Sequence, residues 1–234
     1  MTVFKRRDWE YFLEPSCETV QILAIEDKSM LGRYCMELLA QAEGESGEFC
    51  LLKDFAVEQT IAKNISIVTD ITGLNINTKK MQTALVKKCS ELAVNPEFEE
   101  RLRKVSQSLH SFCTDVCQDV GYSVELDEDI DNAALFKLFS LSLKRRFESL
   151  LDKLVEYVNI TAEFLQTRIY VFLFLSKFLS TEELEQFVKH CQYQELSLIL
   201  IEEAWPTFLK DSNITHKGLI IDKEGFEIPK NGNK

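Results

Sequence analysis

The chain has 234 residues, of which 45% are hydrophobic and 28% are charged, and its formal net charge is −11. This composition is ordinary for a soluble globular protein, and the length suffices for one good core or two modest ones. The negative charge argues against nucleic acid as a partner, unless the fold gathers its Lys and Arg residues on one surface.

The cysteines and the apolar runs bear on the compartment. Seven cysteines are scattered without a Cys-x-x-Cys pair, and there is no apolar N-terminal run with a cleavage site. This pattern predicts reduced thiols in a cytoplasmic protein. The most apolar segment, residues 169–175, is far too short to span a bilayer, so we expect no membrane as a partner.

The first third of the chain predicts alternating strands and helices. A β-rich run over 19–25 ends in Glu26 and Asp27, and residues 29–42 carry apolar side chains at helical spacing. After a turn rich in glycine, residues 49–52 and 65–69 are predicted to form two further strands.

The middle of the chain has a helical character. Between residues 77 and 164 there is one proline and one glycine. Three apolar stripes predict long amphipathic helices: Met81, Leu85, Cys89 and Leu92; then Leu102, Val105, Leu109, Phe112, Cys113, Val116 and Val120; then Phe147, Leu150, Leu151, Leu154 and Val158. The apolar faces of these helices must meet each other or a partner chain.

Strand character returns in the last third. Near-continuous apolar runs predict strands over 168–175, 196–201 and 218–221, and Ser180-Thr-Glu-Glu183 predicts the start of a helix that ends near Tyr193. We therefore expect an α/β head domain with a mainly parallel sheet and an inserted α-helical leg domain. The expected boundaries are 1–76 and 165–228 for the head, 77–164 for the leg, and 229–234 for a disordered polar tail.

The chain lacks the usual signs of an enzyme. The turn after the first strand, residues 26–32, contains a Lys-Ser pair but no glycine-rich stretch that could wrap a phosphate. Its two carboxylates would repel one. The three histidines fall on separate elements, and no nucleophile elbow is present. We expect no catalytic activity.

The acidic run over residues 125–131 is the best candidate for a metal site, because hard cations such as calcium prefer carboxylate oxygens. It begins like a helix-loop-helix calcium loop but has Asn132 in place of the glycine and Leu138 in place of the bidentate glutamate. The alternative is a solvated linker in which Asp131 caps the next helix. His110, Cys113 and Cys117 share a helix face, but their positions favour a packing role.

Basic residues are the candidates for phosphate contacts. Lys80 and Lys87 lie seven residues apart, opposite an apolar stripe, and Arg146 and Lys153 repeat this relation after the basic triplet of residues 144–146. Such rows can face phosphates without reading bases. A solvated helix face has the same pattern.

Five segments occur together in an order and spacing shared with a known family. They are Ile22-Leu-Ala-Ile-Glu-Asp27, Ile67-Val-Thr-Asp-Ile-Thr-Gly-Leu-Asn-Ile-Asn77, the acidic run 125–131, Arg168-Ile-Tyr-Val-Phe172 and Phe178-Leu-Ser-Thr-Glu-Glu183. In this arrangement the chain resembles, over about residues 15–205, the small CRISPR-associated adaptation protein of type II-A systems. The ordered set carries the resemblance.

The resemblance implies a head domain similar to P-loop ATPases that has lost its nucleotide site. It also implies a non-catalytic role in spacer acquisition, beside the CRISPR integrase and the effector nuclease. In that family four subunits form a ring whose positive channel admits the ends of double-stranded DNA, and calcium is needed for ring integrity and binding. The implied Ca²⁺ ligands come from the set Glu125, Asp127, Glu128, Asp129 and Asp131.

Within such a homotetramer, helix geometry assigns the DNA-binding role to Lys80, Lys87, Lys144, Arg145, Arg146 and Lys153. Two other functions stay open. A metal-dependent DNA nuclease would need converging carboxylates, for which Asp27, Asp70 and Glu202 at strand ends are candidates. A DNA-independent scaffold would dock the adaptation enzymes on its helical legs. Residues 5–7 are basic and either contact DNA or form a flexible end.

Overall fold

The computed structural model describes residues 1–127, 131–144, 146–210 and 212–232. It divides into two units, a larger one of residues 1–74 and 146–234 and a smaller one of residues 75–145. The strands are β1 (Thr2–Arg6), β2 (Val20–Ile25), β3 (Phe49–Lys53), β4 (Val57–Gln59), β5 (Ile65–Val68), β6 (Ile169–Leu173), β7 (Ser197–Glu202), β8 (His216–Ile221) and β9 (Glu227–Asn231). The helices are α1 (Lys28–Ala42), α2 (Ile61–Asn64), α3 (Lys79–Ala93), α4 (Pro96–Gln118), α5 (Asn132–Lys137), α6 (Leu150–Leu165) and α7 (Thr181–Tyr193).

The larger unit is built on a six-stranded sheet with the order β5-β6-β7-β2-β8-β9. The first five strands are parallel, and β9 pairs antiparallel with β8. Every residue of β2 is buried, as are the last five of β7, because helices cover both faces of the sheet. The predicted α/β class with a mainly parallel sheet is confirmed.

Two apolar cores lie on opposite faces of this sheet, and successive residues of β2 alternate between them. Helices α6 and α7 contribute Leu154, Val158 and Phe187 to one core. Helix α1 contributes Leu38 to the other core, together with Phe49 of a second sheet. Each of these side chains is at most 1% exposed, and such burial stabilises the fold by about 1.5–3 kcal/mol per side chain.

The second sheet is antiparallel, with the order β1-β3-β4. The sequence predicted β3 as a strand but did not predict its place outside the main sheet. Strand β1 was missed altogether. Because β1 pairs with β3 from Thr2 to Arg6, the basic N-terminal segment is held in a sheet, and the expectation of a flexible end is wrong.

The predicted start of α7 is confirmed in detail. Ser180 Oγ accepts a hydrogen bond from Glu183 N at 3.3 Å, and Glu183 Oε2 accepts one from Ser180 N at 2.9 Å. This reciprocal capping box satisfies two amides that the first helical turn leaves without partners. The helix therefore starts where the local sequence dictates.

The third predicted helix of the middle region begins later than its apolar stripe suggested. Ser149 is the N-cap of α6, and its Oγ accepts a hydrogen bond from Asp152 N at 3.0 Å. Phe147 and the basic triplet therefore precede the helix. Since Leu154 and Val158 are buried in the core of the larger unit, α6 belongs to that unit. The smaller unit ends at residue 145, in place of the expected boundary at 164.

The expected disordered tail is also corrected. Residues 229–231 lie in β9, where Pro229 pairs with Leu219 and Lys230 pairs with Gly218. The polar sequence of this segment hid a strand because its burial is slight and its order comes from pairing with β8. The last two residues of the predicted tail lie outside the described ranges.

The smaller unit contains α3, α4 and α5, and α3 contacts both of the others. The two ends of this unit are joined by the Asn77 side chain. Its Nδ2 donates to Leu143 O at 3.0 Å, and its Oδ1 accepts from Leu143 N at 2.8 Å. One amide side chain thus satisfies both backbone groups of a residue 66 positions away.

Candidate nucleic-acid interface and cation site

The turn after β2 lies where many α/β proteins bind phosphate. Here Asp27 Oδ1 accepts a hydrogen bond from Met30 N at 2.7 Å, so a carboxylate caps the first turn of α1. An anionic ligand at this place would meet a negative charge where a phosphate loop offers open amides. The geometry agrees with the sequence in disfavouring nucleotide binding.

Two other carboxylates at strand ends serve local structure. Asp70 Oδ1 accepts hydrogen bonds from Gly73 N at 2.7 Å and from Thr72 Oγ1 at 3.1 Å, and the bond from Gly73 lowers the pKa of Asp70. Glu202 is 2% exposed and accepts a hydrogen bond from Ser176 N at 3.1 Å; burial raises the pKa of Glu202.

The nuclease alternative requires such carboxylates to converge. Within residues 1–127, 131–144, 146–210 and 212–232, no three His, Cys, Asp or Glu side chains are grouped closely enough to hold a metal ion. Asp27, Asp70 and Glu202 all fall within these ranges, so they do not form a two-metal site. This observation weighs against hydrolytic chemistry at the strand ends.

The acidic run has one clear structural role. Asp131 is the N-cap of α5, and its Oδ1 accepts a hydrogen bond from Ala133 N at 2.8 Å, which confirms the predicted cap. Glu125 and Asp127 are exposed in an irregular segment. Glu128 and Asp129 lie outside the described residues, so the calcium site stays a prediction.

The His and Cys residues of α4 are less buried than a core stripe would be. Cys113 is exposed, and His110 and Cys117 are half-buried. Thr114 Oγ1 donates to His110 O at 2.9 Å, a contact within the helix. These three side chains do not form a metal cluster in the described part of the chain.

The two lysines predicted on α3 lie as the helical pattern suggested. Lys80 and Lys87 are exposed, whereas Met81, on the opposite face, is 2% exposed. Lys87 Nζ lies 3.9 Å from a Glu91 carboxylate oxygen, a loose and solvent-exposed ion pair. Such a pair is worth little energetically, so both ammonium groups are accessible to a phosphate.

The structure brings Lys144 to the same end of α3 as Lys80. Lys144 follows Leu143, whose backbone is bonded to Asn77, and Asn77 lies three residues before Lys80. Lys144 is exposed. Two cations that are far apart in sequence therefore flank one short stretch of backbone. Arg145 lies outside the described residues.

The helical row proposed for Arg146 and Lys153 is wrong in its geometry. Arg146 is exposed but precedes α6, because the helix begins at Leu150. Lys153 is half-buried, and its Nζ donates to Thr72 O at 2.6 Å. This contact anchors α6 to the turn after β5. Neither residue loses its charge, but the two do not form one face of a helix.

The N-terminal basic residues are occupied by partners within the chain. Arg6 forms ion pairs with Asp8 and, at 3.1 Å, with Glu37, and its guanidinium lies 4.6 Å from the Tyr34 ring centroid. The neighbouring residue, Arg7, pairs with Glu58 at 2.7 Å. These pairs neutralise the charge that the sequence offered as a possible DNA contact.

An uncovered apolar surface was not foreseen as a functional feature. None of residues 96–118 of α4, all of which the structure describes, is buried, although the helix is strongly amphipathic. Phe112 is 65% exposed, and Val105 and Val116 are about half exposed. A groove of about 470 Å³, lined mainly by apolar side chains of α3, α4 and α5, continues this surface.

The signal for this surface was present in the sequence as the second apolar stripe. The stripe could not reveal whether the chain itself covers it. We call the exposed side chains of α4, Val105, Phe112 and Val116, the α4 apolar face. No helix of the described ranges is long and apolar enough to cross a membrane.

Comparison with known proteins identifies relatives of the chain. The family model described as "CRISPR-associated protein (Cas_Csn2)" matches residues 41–224, which is more than three quarters of the chain. The crystal structure of Stu0660 of Streptococcus thermophilus is similar in fold, with a TM-score of 0.63 and 12% sequence identity. The match covers 100% of this chain and 77% of that chain.

Proposed function

The chain belongs to the Cas_Csn2 family of CRISPR-associated proteins, which gives it a role in CRISPR adaptation, and from this premise we propose that it binds the ends of double-stranded DNA without reading their sequence. The binding form is a homotetrameric ring stabilised by Ca²⁺. The protein acts in spacer acquisition beside the CRISPR integrase and the effector nuclease, and it has no catalytic activity itself. In this proposal the larger unit is a degenerate P-loop-like head and the smaller unit is an inserted helical leg.

The observation that carries the DNA-binding proposal is the pair of exposed cations at the start of α3. Lys80 lies in the first turn of this helix, beside Lys79, and the Asn77–Leu143 hydrogen bonds bring Lys144 to the same place. The first turn contains no acidic residue, although acids are favoured there. A concentration of positive charge at a helix N-terminus suits a phosphate backbone.

This local arrangement supports DNA binding despite the net charge of −11. Phosphate contacts depend on the potential near the binding surface, and most acids of the chain need not face it. In a ring, the lysines of four subunits would converge on one channel. Contacts confined to the DNA backbone would make binding independent of sequence and steeply dependent on salt.

The α4 apolar face supports the oligomer. Its side chains are exposed in the single chain, and burying them against another copy would stabilise the assembly by roughly 25 cal/mol per Å² of apolar surface removed from water. A patch of this kind on a soluble protein marks an interaction site. We assign it to contacts between subunits.

The acidic run supports the choice of calcium. Glu125 and Asp127 are exposed, and Asp131 lies at the start of α5, so carboxylate oxygens are available to a hard cation that takes six to eight oxygen ligands. Glu128 and Asp129 complete the proposed set. Bound Ca²⁺ would remove the mutual repulsion of these carboxylates and so favour assembly.

The test is the mass of the full-length protein by light scattering during a calcium titration, with and without a short linear duplex. We expect a tetramer that forms or tightens with calcium and then gains the mass of the DNA. Full DNA affinity in EDTA would refute the role of calcium. A monomer or dimer that ignores both calcium and DNA would refute the proposal, and a complex with the integrase formed without DNA would then favour the scaffold function.

A further inference from the structure

The segment that follows α5 exposes two large apolar side chains. Leu138 is 74% exposed and Phe139 is 73% exposed, whereas Leu135 and Phe136, earlier in the same helix, line the groove against α3 and α4. Helix α5 thus has a packed part and an exposed apolar end. We call Leu138 and Phe139 the α5 tip.

The α5 tip is an ordered turn and not a loose loop. Leu138 N donates to Ala134 O at 3.2 Å, and Phe139 N donates to Phe136 O at 3.3 Å. The next residue, Ser140, has a left-handed backbone conformation with φ of 48°, and its N donates to Lys137 O at 3.3 Å. These bonds present the two apolar side chains at a defined place on the smaller unit.

Cations flank the tip on both sides along the chain. Lys137 precedes it and Lys144 follows it, and both are exposed. Among the residues that the structure describes, neither lysine has an ion-pair partner. The Asn77–Leu143 bonds further connect this segment to the start of α3, where Lys79 and Lys80 lie. The surroundings of the tip therefore favour a polyanion over an acidic protein or a neutral surface.

We propose that Phe139, supported by Leu138, stacks on the terminal base pair of a bound DNA duplex, while the flanking lysines contact the last phosphates. This inference rests on the proposed DNA-binding function and adds the means by which an end is distinguished. Phosphate contacts alone cannot separate an end from the interior, because the backbone is the same in both. A duplex end differs by exposing the flat, apolar face of a base pair, which an aromatic side chain can cover.

The energetics fit an exposed aromatic residue. A Phe side chain left in water forgoes about 1.5–3 kcal/mol of burial, and stacking on a base recovers a similar amount. A stack on one face requires no deformation of the duplex. It also tolerates any terminal base pair, since every base has a π face, and so preserves independence from sequence.

The experiment uses the full-length protein with Phe139→Ala, Phe139→Leu and Phe139→Trp, and with Tyr193→Ala as a matched control. Tyr193 is 85% exposed and lies in the larger unit. The probe is a blunt linear duplex with 2-aminopurine in either the terminal or the central base pair. We expect Phe139→Ala to weaken binding roughly tenfold and to abolish the fluorescence change at the terminal position alone. Phe139→Trp should restore both, Phe139→Leu should restore neither fully, and Tyr193→Ala should behave as wild type.

Other outcomes would overturn the assignment. If Phe139→Ala binds DNA like wild type with the same terminal signal, the tip does not touch the end, although the DNA-binding proposal survives. If its oligomeric mass changes, the tip is a subunit contact. If the variant loses binding to phosphatidylserine vesicles but keeps DNA affinity, the tip addresses a membrane. If the wild-type protein binds no duplex at all, the proposed function and this inference both fail.

Discussion

At the scale of single residues, Glu202 links burial to a measurable dependence on pH. Burial raises the pKa of this carboxyl in the folded chain, so it favours the protonated form. The stability linked to this proton is present below the unfolded pKa and is lost as the pH rises through the folded pKa. Glu202→Gln keeps an acceptor for Ser176 N and cannot ionise. We therefore expect it to raise the free energy of unfolding at pH 8 more than at pH 5, as measured by urea denaturation.

Its neighbour Glu203 is the control for this effect. Glu203 is exposed and pairs with Lys177 at 2.9 Å, and this hydrogen bond lowers the pKa of Glu203. Glu203→Gln should therefore leave stability almost unchanged or reduce it slightly at pH 8. An equal gain in both variants, or a gain for Glu202→Gln that is the same at both pH values, would show that the Glu202 carboxylate is not disfavoured by burial.

At the scale of the element, α3 carries the lysines that can be tested together. We expect Lys80→Glu with Lys87→Glu to abolish measurable duplex binding, because two attractive contacts become repulsive on an exposed face. Fluorescence anisotropy with a labelled duplex would measure this loss, and light scattering should give an unchanged mass. A matched control reverses Lys189 and Lys223, which are exposed in the larger unit. Wild-type affinity in the α3 variant would exclude this helix from the DNA interface.

Strand β8 gives a second prediction at the same scale. A Cβ atom added at Gly218 would lie 1.9 Å from the carbonyl oxygen of Ile22 in the neighbouring strand. Neither atom can move without breaking the parallel pairing of β2 with β8. Gly218→Ala should lower the melting temperature by several degrees. Gly32→Ala, where a Cβ meets no atom within 4 Å, is the control and should not lower it.

At the scale of the whole molecule, the α4 apolar face separates folding from assembly. Phe112→Glu with Val116→Glu should lower the oligomeric mass at micromolar concentration and leave the circular dichroism spectrum unchanged, because neither side chain is buried in the single chain. Gln107→Glu, on an exposed position of the same helix, should keep the native mass. A tetramer that persists in the Phe112 and Val116 variant would place the subunit contacts elsewhere.

Local patterns predicted much of the fold but less of the candidate site. Strand β2 and the cap of α7 could be predicted, because continuous burial and the Ser180–Glu183 box act over a few neighbouring residues. Strand β9 could not, because its residues are mostly exposed and become ordered by pairing with β8. The lysines of α3 followed from helical spacing. Arg146 did not, since the Ser149 cap starts α6 after it.

The sequence by itself determined the α/β class, the largely helical middle region and the absence of a glycine-rich phosphate loop, because each depends on residues close together in the chain. Tertiary structure decided which charges remain available. Arg6 and Arg7 meet Glu37 and Glu58, whereas Lys144 is brought to the start of α3 by the Asn77–Leu143 hydrogen bonds. Pairings across 31, 51 and 66 positions depend on how the chain reverses direction, which no local spacing encodes.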